Sequence, residues 1–125
     1  MKLEFYRCKK CGQIVKKLVD KGTPLSCCGE EMEKLIPNTT EAAVEKHIPV
    51  VSVKEGVATV CVGSVAHPML DVHYIEFIIL ATNQGAYKMT LKPGDAPCAV
   101  FKLREGEKVE ACYAYCNLHG LWEGK

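Results

Sequence analysis

The chain has 125 residues, an apolar fraction of 48% and a net charge of +1 from 16 basic and 15 acidic side chains, a length that holds one ordinary domain or two small ones. Well-mixed charge without a basic run gives nucleic-acid binding no electrostatic support, and no apolar stretch approaches the roughly 18–20 residues of a membrane span. The start MKLEFYRCKK lacks the apolar core of a secretion signal, so a cytoplasmic protein with neither a nucleic-acid nor a membrane partner is expected.

In chain order, Glu4–Arg7 reads as a short strand. Cys8-Lys9-Lys10-Cys11-Gly12 follows as a knuckle in which Gly12 is free to take positive φ. Ile14–Val19 is a second strand candidate, Asp20–Pro24 a turn, and Cys27-Cys28-Gly29 leads into an apolar run ending near Ile36. Residues 1–36 are therefore expected to form a small metal-binding domain, because a unit below about 40 residues buries too little surface to stand without a metal, disulfides or a partner. Residues 37–42 read as a linker or short helical turn that opens a second domain, 37–125. There the pattern is β: Val50–Val53 and Val57–Val62 flank the hairpin signal Lys54-Glu55-Gly56. Tyr74–Ala81, Tyr87–Leu91, Val100–Leu103 and Val109–Tyr115 follow, separated by Gly, Pro and Asn punctuation. The fold class is mainly β, with an antiparallel sandwich or barrel in the second domain.

Eight cysteines require an explanation. In a reducing compartment thiols stay free, and clustered ones usually bind metal. Cys8, Cys11, Cys27 and Cys28 fall together in the first domain. Cys8-x2-Cys11 places two thiolates on one knuckle and Cys27-Cys28 supplies two more; four thiolates select zinc or iron, and spacing alone favours neither. Adjacent cysteines on an extended backbone point to opposite sides, so both reach one ion only where the chain bends, and a distorted tetrahedron is expected.

All four histidines lie in the second domain, at strand ends or loops: His47 before the first sandwich strand, His67 and His73 flanking one loop, and His119 in Cys116-Asn117-Leu118-His119-Gly120. An isolated histidine is usually a surface or hydrogen-bonded side chain. Here no histidine lies outside these loops, and Cys116-x2-His119 lets two side chains reach one ion. Four imidazoles and a thiolate exceed the tetrahedral zinc count and suit iron with one open position. Neutral imidazoles suit Fe(II), and the thiolate donates electron density. Glu45 and Lys46 adjoin His47. Away from a metal they would be solvated charges; beside one, Lys46 attracts a small anion and Glu45 is placed to meet the open position. Of the remaining cysteines, Cys61 reads as a small buried hydrophobe, Cys98 as a free loop thiol, and Cys112 as a rival to Cys116, which the nearness of His119 favours.

Over essentially its whole length the sequence resembles the desulfoferrodoxins, the two-iron class of superoxide reductases. The resemblance is carried by Cys8-x2-Cys11…Cys27-Cys28, by Glu45-Lys46-His47-x-Pro49, and by His67-Pro68-Met69-x3-His73-Tyr74-Ile75. Leu91-Lys92-Pro93-Gly94 and Tyr115-Cys116-Asn117-x-His119-Gly120-x-Trp122 complete it. It implies two iron ions per chain. One would sit in a distorted tetrahedron of Cys8, Cys11, Cys27 and Cys28 on a desulforedoxin-like domain. The other would have His47, His67, His73 and His119 in a plane and Cys116 axial, on an immunoglobulin-like sandwich. The resemblance also implies homodimers, superoxide as substrate reduced by one electron to hydrogen peroxide, and rubredoxin or a similar electron donor. Lys46 would draw in the anion and order proton delivery, and Glu45 would cap the oxidised iron. Peptide N–H groups near Leu118 and His119 are expected to donate to the Cys116 sulfur and tune its potential.

Overall fold

The computed structural model describes residues 2–125; Met1, the first residue of the expected N-terminal domain, lies outside the described residues. The chain divides into two compact units, Lys2–Ile36 and Pro37–Lys125.

The N-terminal unit is built from minimal strands. β1 (Phe5–Arg7) pairs antiparallel with β2 (Ile14–Lys16). β3 (Ser26–Cys27) and β4 (Glu30–Glu31) form a separate hairpin, and β5 (Glu33–Lys34) returns to the free edge of β1. The strand expected over 14–19 stops at Lys16, and Leu18 and Val19 are exposed. Leu3, Phe5, Cys8 and Met32 are the buried apolar residues of this unit. So small a core contributes little against chain entropy, which leaves the four cysteines and their metal as the stabilising element.

The C-terminal unit begins with one helical turn, α1 (Val44–His47). β6 (Pro49–Lys54) and β7 (Val57–Val62) form the hairpin turned by Glu55 and Gly56, both at positive φ. β8 (Ile75–Thr82), β9 (Ala86–Thr90), β10 (Cys98–Lys102), β11 (Val109–Cys116) and β12 (Gly120–Gly124) complete it. All pairings are antiparallel, in sheets ordered β10-β7-β6 and β12-β11-β8-β9. β12 was read as the tail of a motif and is a full strand.

Alternation explains the core. In β7 the residues Ala58, Val60 and Val62 are buried while Val57, Thr59 and Cys61 face the other side. The inward residues of both sheets, among them Val60, Val62, Phe101, Ile78, Leu80 and Ala114, meet in one cluster. This is an immunoglobulin-like sandwich, with the inner faces of two antiparallel sheets packed on each other. Cys112 and Cys116 lie in that cluster, fully buried. β11 is irregular against β8 between Tyr115 and Cys116, where Glu76 of β8 has no residue opposite it on β11. Such bulges bend a strand and re-aim the side chain next to them, here at Cys116.

Candidate metal centres

In the N-terminal unit the sulfurs of Cys8, Cys11, Cys27 and Cys28 all lie within 4.8 Å of one another. Cys11 Sγ is 3.6 Å from Cys27 Sγ, and Cys27 Sγ is 3.9 Å from Cys28 Sγ. A tetrahedron with metal–sulfur bonds of about 2.3 Å has edges of about 3.8 Å, so these spacings fit a tetrathiolate ion. The bend that lets adjacent cysteines converge is present: Cys28 has φ 53° and Gly29 φ 79°. At the other knuckle Gly12 has φ 84° and donates its N–H to the Cys8 carbonyl. The Cys11 amide points at Cys8 Sγ from 3.4 Å; this bond, first among several, lowers the Cys8 thiol to about 6. Bonds from Cys8 and Cys11 push Cys27 up to about 12 and raise Cys28. One thiolate thus stands ready, and a metal must displace protons from its neighbours.

The second cluster is assembled from the end of α1, the loop between His67 and His73, the end of β11 and the turn that follows it. The ligand atoms of His47, His67, His73 and Cys116 lie within 4.8 Å of one another. His119 joins through Nδ1, 3.1 Å from His47 Nε2 and 3.8 Å from Cys116 Sγ. The four imidazoles follow one another in a ring. Centroids of successive pairs, 47–67, 67–73, 73–119 and 119–47, are 4.6, 4.7, 5.1 and 4.9 Å apart, with planes 77–90° to each other. His47 and His73, opposite in the ring, are 6.3 Å apart and only 28° from parallel. This is a fourfold arrangement about a common centre.

Proton positions show what the centre takes. His47 Nδ1 lies 2.7 Å from the Ala43 carbonyl and His67 Nδ1 2.7 Å from the Pro68 carbonyl. A carbonyl only accepts, so both rings carry the proton on Nδ1 and aim an Nε2 lone pair inward. Those two Nε2 atoms are 3.1 Å apart. Burial lowers the His47 and His73 rings from their usual value and takes His67 to about 4, so all three are neutral at pH 7. His73 Nε2 is buried with no hydrogen-bond partner. The His47 and His67 lone pairs face each other across a buried space beside the unpartnered His73 Nε2, an arrangement that a bound cation satisfies. Cys116 supplies the negative charge. Burial raises its thiol, and the amides of Leu118 and His119 oppose the rise.

The supporting contacts explain the convergence. His47 ends α1, and its ring stacks on Trp122, 5.0 Å away at 28°. Trp122 Nε1 donates to the His119 carbonyl at 3.1 Å, so one buried indole orients two of the imidazoles. Asn117 stitches the other loops. Its Oδ1 accepts from the Tyr74 amide at 2.9 Å, its Nδ2 donates to the Val72 carbonyl at 3.1 Å, and its own amide donates to the Tyr74 carbonyl. Gly63 lies against the α1 segment: a Cβ there would stand 2.5 Å from the Val65 carbonyl oxygen, 2.7 Å from that of Glu45 and 2.8 Å from the Lys46 carbonyl carbon. Asn117 and Trp122 enter the sequence reading only as motif positions, with no role given to their side chains, and Gly63 does not enter it. The available signals were a tryptophan three residues after His119 and a glycine closing a strand.

Glu45 and Lys46 are on α1 and exposed. Neither belongs to the cluster of converging ligand atoms among the described residues, but the Lys46 charge helps lower both His47 and His73. Cys112 is not in the cluster; its Sγ lies 3.6 Å from the Pro49 carbonyl, and burial pushes its thiol up to about 12. Cys61 and Cys98 differ from expectation. They form a disulfide, because Cys98 begins β10 directly opposite Cys61 of β7.

The histidine shifts predict a pH dependence for the metal-free full chain. His47, His67 and His73 have folded values below the ordinary 6.5, so the unfolded chain binds more protons than the folded one in that interval. Stability is therefore complete above about pH 6.5 and falls as the pH drops towards 4. Thermal melts at several pH values check this, and His67→Gln is expected to flatten the slope.

Together the fold and the two clusters define a two-centre metalloprotein, with a tetrathiolate site on a minimal domain and a histidine–thiolate site at the end of an immunoglobulin-like sandwich. The desulfoferrodoxin family profile matches residues 39–125 and the desulfoferrodoxin N-terminal domain profile residues 1–35; the chain belongs to the desulfoferrodoxin family. A desulfoferrodoxin of Syntrophotalea carbinolica is 48% identical over 99% of this chain and 97% of its own length. One of Nitratidesulfovibrio vulgaris is 47% identical over 98% of this chain and 95% of its own. The crystal structure of the superoxide reductase from Treponema pallidum superposes with a TM-score of 0.84 at 37% identity, covering all of both chains.

Proposed function

We propose that this protein is a superoxide reductase, taking superoxide, one electron and two protons to hydrogen peroxide at a non-haem Fe(II) held by His47, His67, His73, His119 and Cys116. The observation that carries this reading is the ring of four imidazoles that converge beside a buried thiol. Iron bound there supplies the one-electron chemistry, and a second iron is held by Cys8, Cys11, Cys27 and Cys28.

The chain's own residues do the rest. The imidazoles carry no charge, so a ferrous ion and one thiolate leave a net positive centre that favours an anion. The Leu118 and His119 amides partly offset the burial that raises the Cys116 thiol, and bound iron would hold it as thiolate. Lys46, exposed on the turn that carries His47, attracts superoxide and orders the water that delivers protons, and Glu45 caps the centre after turnover. Lys46→Met is expected to lower the second-order rate with superoxide by on the order of tenfold and to flatten its dependence on ionic strength. Pulse radiolysis at two salt concentrations reads both effects.

Leu70, Val72 and Leu118 are exposed on the loops that Asn117 ties beside His73 and His119, an apolar rim suited to a small protein carrier such as rubredoxin. A homodimer is the assembly we assign, on the family relationship. A cytoplasmic location suits the four clustered cysteines of the N-terminal unit, which in a reducing compartment are available to bind metal instead of pairing as disulfides. The protein would then serve oxidative-stress defence in an anaerobe or microaerophile.

Metal analysis with a visible spectrum, before and after ascorbate, tests the assignment. About two irons per chain and two thiolate-to-iron bands, one bleaching separately, are expected. Zinc alone, with no visible bands after iron reconstitution, would leave a zinc-stabilised binding module instead.

A further inference from the structure

Cys61 and Cys98 occupy a distinctive place. They pair directly across β7 and β10, with Cα atoms 4.0 Å apart. Both lie on the outer face of the three-stranded sheet: their neighbours Val60, Val62 and Ala99 are buried, while the two cysteines are partly exposed. The bond therefore contributes nothing to the core and is open to small solutes. Reducing it leaves the strands where they are, because the ladder from Cys98–Cys61 to Lys102–Val57 holds them and Val62 N–H donates to the Pro97 carbonyl at 2.8 Å. The two sulfurs stay opposed in either state.

In a reducing compartment, the location proposed above, an accessible disulfide is a turning-over couple and not a permanent staple. An oxidant for it is made nearby. Cys61 is the penultimate residue of β7, and just beyond that strand the Gly63 N–H bonds the Ile48 carbonyl and the Val65 N–H that of Glu45; Cys61 thus lies near the end of the strand that leads into the residues backing the segment that carries Lys46 and His47.

We propose that Cys61 and Cys98 form a second redox site, a surface dithiol–disulfide couple that consumes hydrogen peroxide and is reset by a dithiol. One thiolate attacks a peroxide oxygen, the O–O bond breaks, and a sulfenic acid and one water result. The second thiol attacks that sulfur, the S–O bond breaks, and the disulfide forms with loss of a second water. Two thiols are oxidised by two electrons as one peroxide is reduced to two waters. A small dithiol returns the electrons by exchange. The inference rests on the superoxide reductase reading only for the origin of the peroxide.

The test uses the full-length iron-loaded protein, reduced with dithiothreitol, desalted without air and given reagent hydrogen peroxide, followed by alkylation and peptide mass mapping. Cys61 and Cys98 are expected to pass from alkylated to cross-linked. With excess dithiothreitol, peroxide consumption is expected to continue for many turnovers. The Cys61→Ser/Cys98→Ser double variant should lose that continued consumption and keep both iron bands. Thiols that stay alkylatable after peroxide, a disulfide that resists the dithiol in the folded chain, or equal consumption by the double variant would each overturn the couple. Replacing reagent peroxide by a superoxide source separates the two readings: closure with peroxide but not with superoxide supports the couple and counts against the reductase.

Discussion

Cys116→Ser is expected to abolish the thiolate-to-iron band of the histidine centre and to lower superoxide reduction by more than about a hundredfold, since replacing even a supporting neighbour of a metal ligand costs roughly 10–100-fold. Among the described residues Cys116 is the sulfur that converges with His47, His67 and His73, with His119 Nδ1 3.8 Å from it, while Cys112 is held against the Pro49 carbonyl. A serine hydroxyl stays protonated in that buried position, so the site loses its negative charge and its electron donor together. The tetrathiolate band should be unchanged, because Cys8, Cys11, Cys27 and Cys28 form their own cluster in the other unit. Visible spectra and stopped-flow superoxide kinetics on the same sample read both outcomes.

Gly63→Ala is the second large effect. A non-glycine residue at φ 83° costs about 1–3 kcal/mol, and forcing atoms into packed surroundings typically costs a further ~1–3 kcal/mol. Here the obstruction is backbone on three sides, Val65, Glu45 and Lys46, so no side-chain rotation relieves it. Domain stabilities of about 5–15 kcal/mol leave little room for such a loss. The segment that yields carries Glu45, Lys46 and His47, so iron affinity at the histidine centre should fall with the melting temperature. Gly56→Ala is the control: its φ is 76°, yet nothing lies within 4 Å of the added Cβ, and it should cost only the backbone term.

What the sequence made legible was local. Cys8-x2-Cys11 and Cys27-Cys28 announce a metal by spacing within a few residues, and Val57–Val62 announces a half-buried strand by alternation. The histidines could be placed at loops because Pro, Gly and Asn bracket them. Features set by register were not legible. Cys61 and Cys98 face each other because β10 pairs with β7 in one register, and nothing near either cysteine encodes that pairing. β12, bounded by Gly120 and Gly124, lacks a strand's usual composition and becomes one through its ladder to β11. The need for glycine at position 63 arises from α1, far earlier in the chain. Trp122 stands in the sequence only as a motif position, and its stacking on His47 is set by the fold.

Product stoichiometry tests the central claim most directly. The iron-loaded protein, supplied with superoxide and a reductant that does not itself react with it, should yield one hydrogen peroxide per superoxide and release no dioxygen. Dioxygen appearing in step with peroxide would make the protein a dismutase and contradict the account.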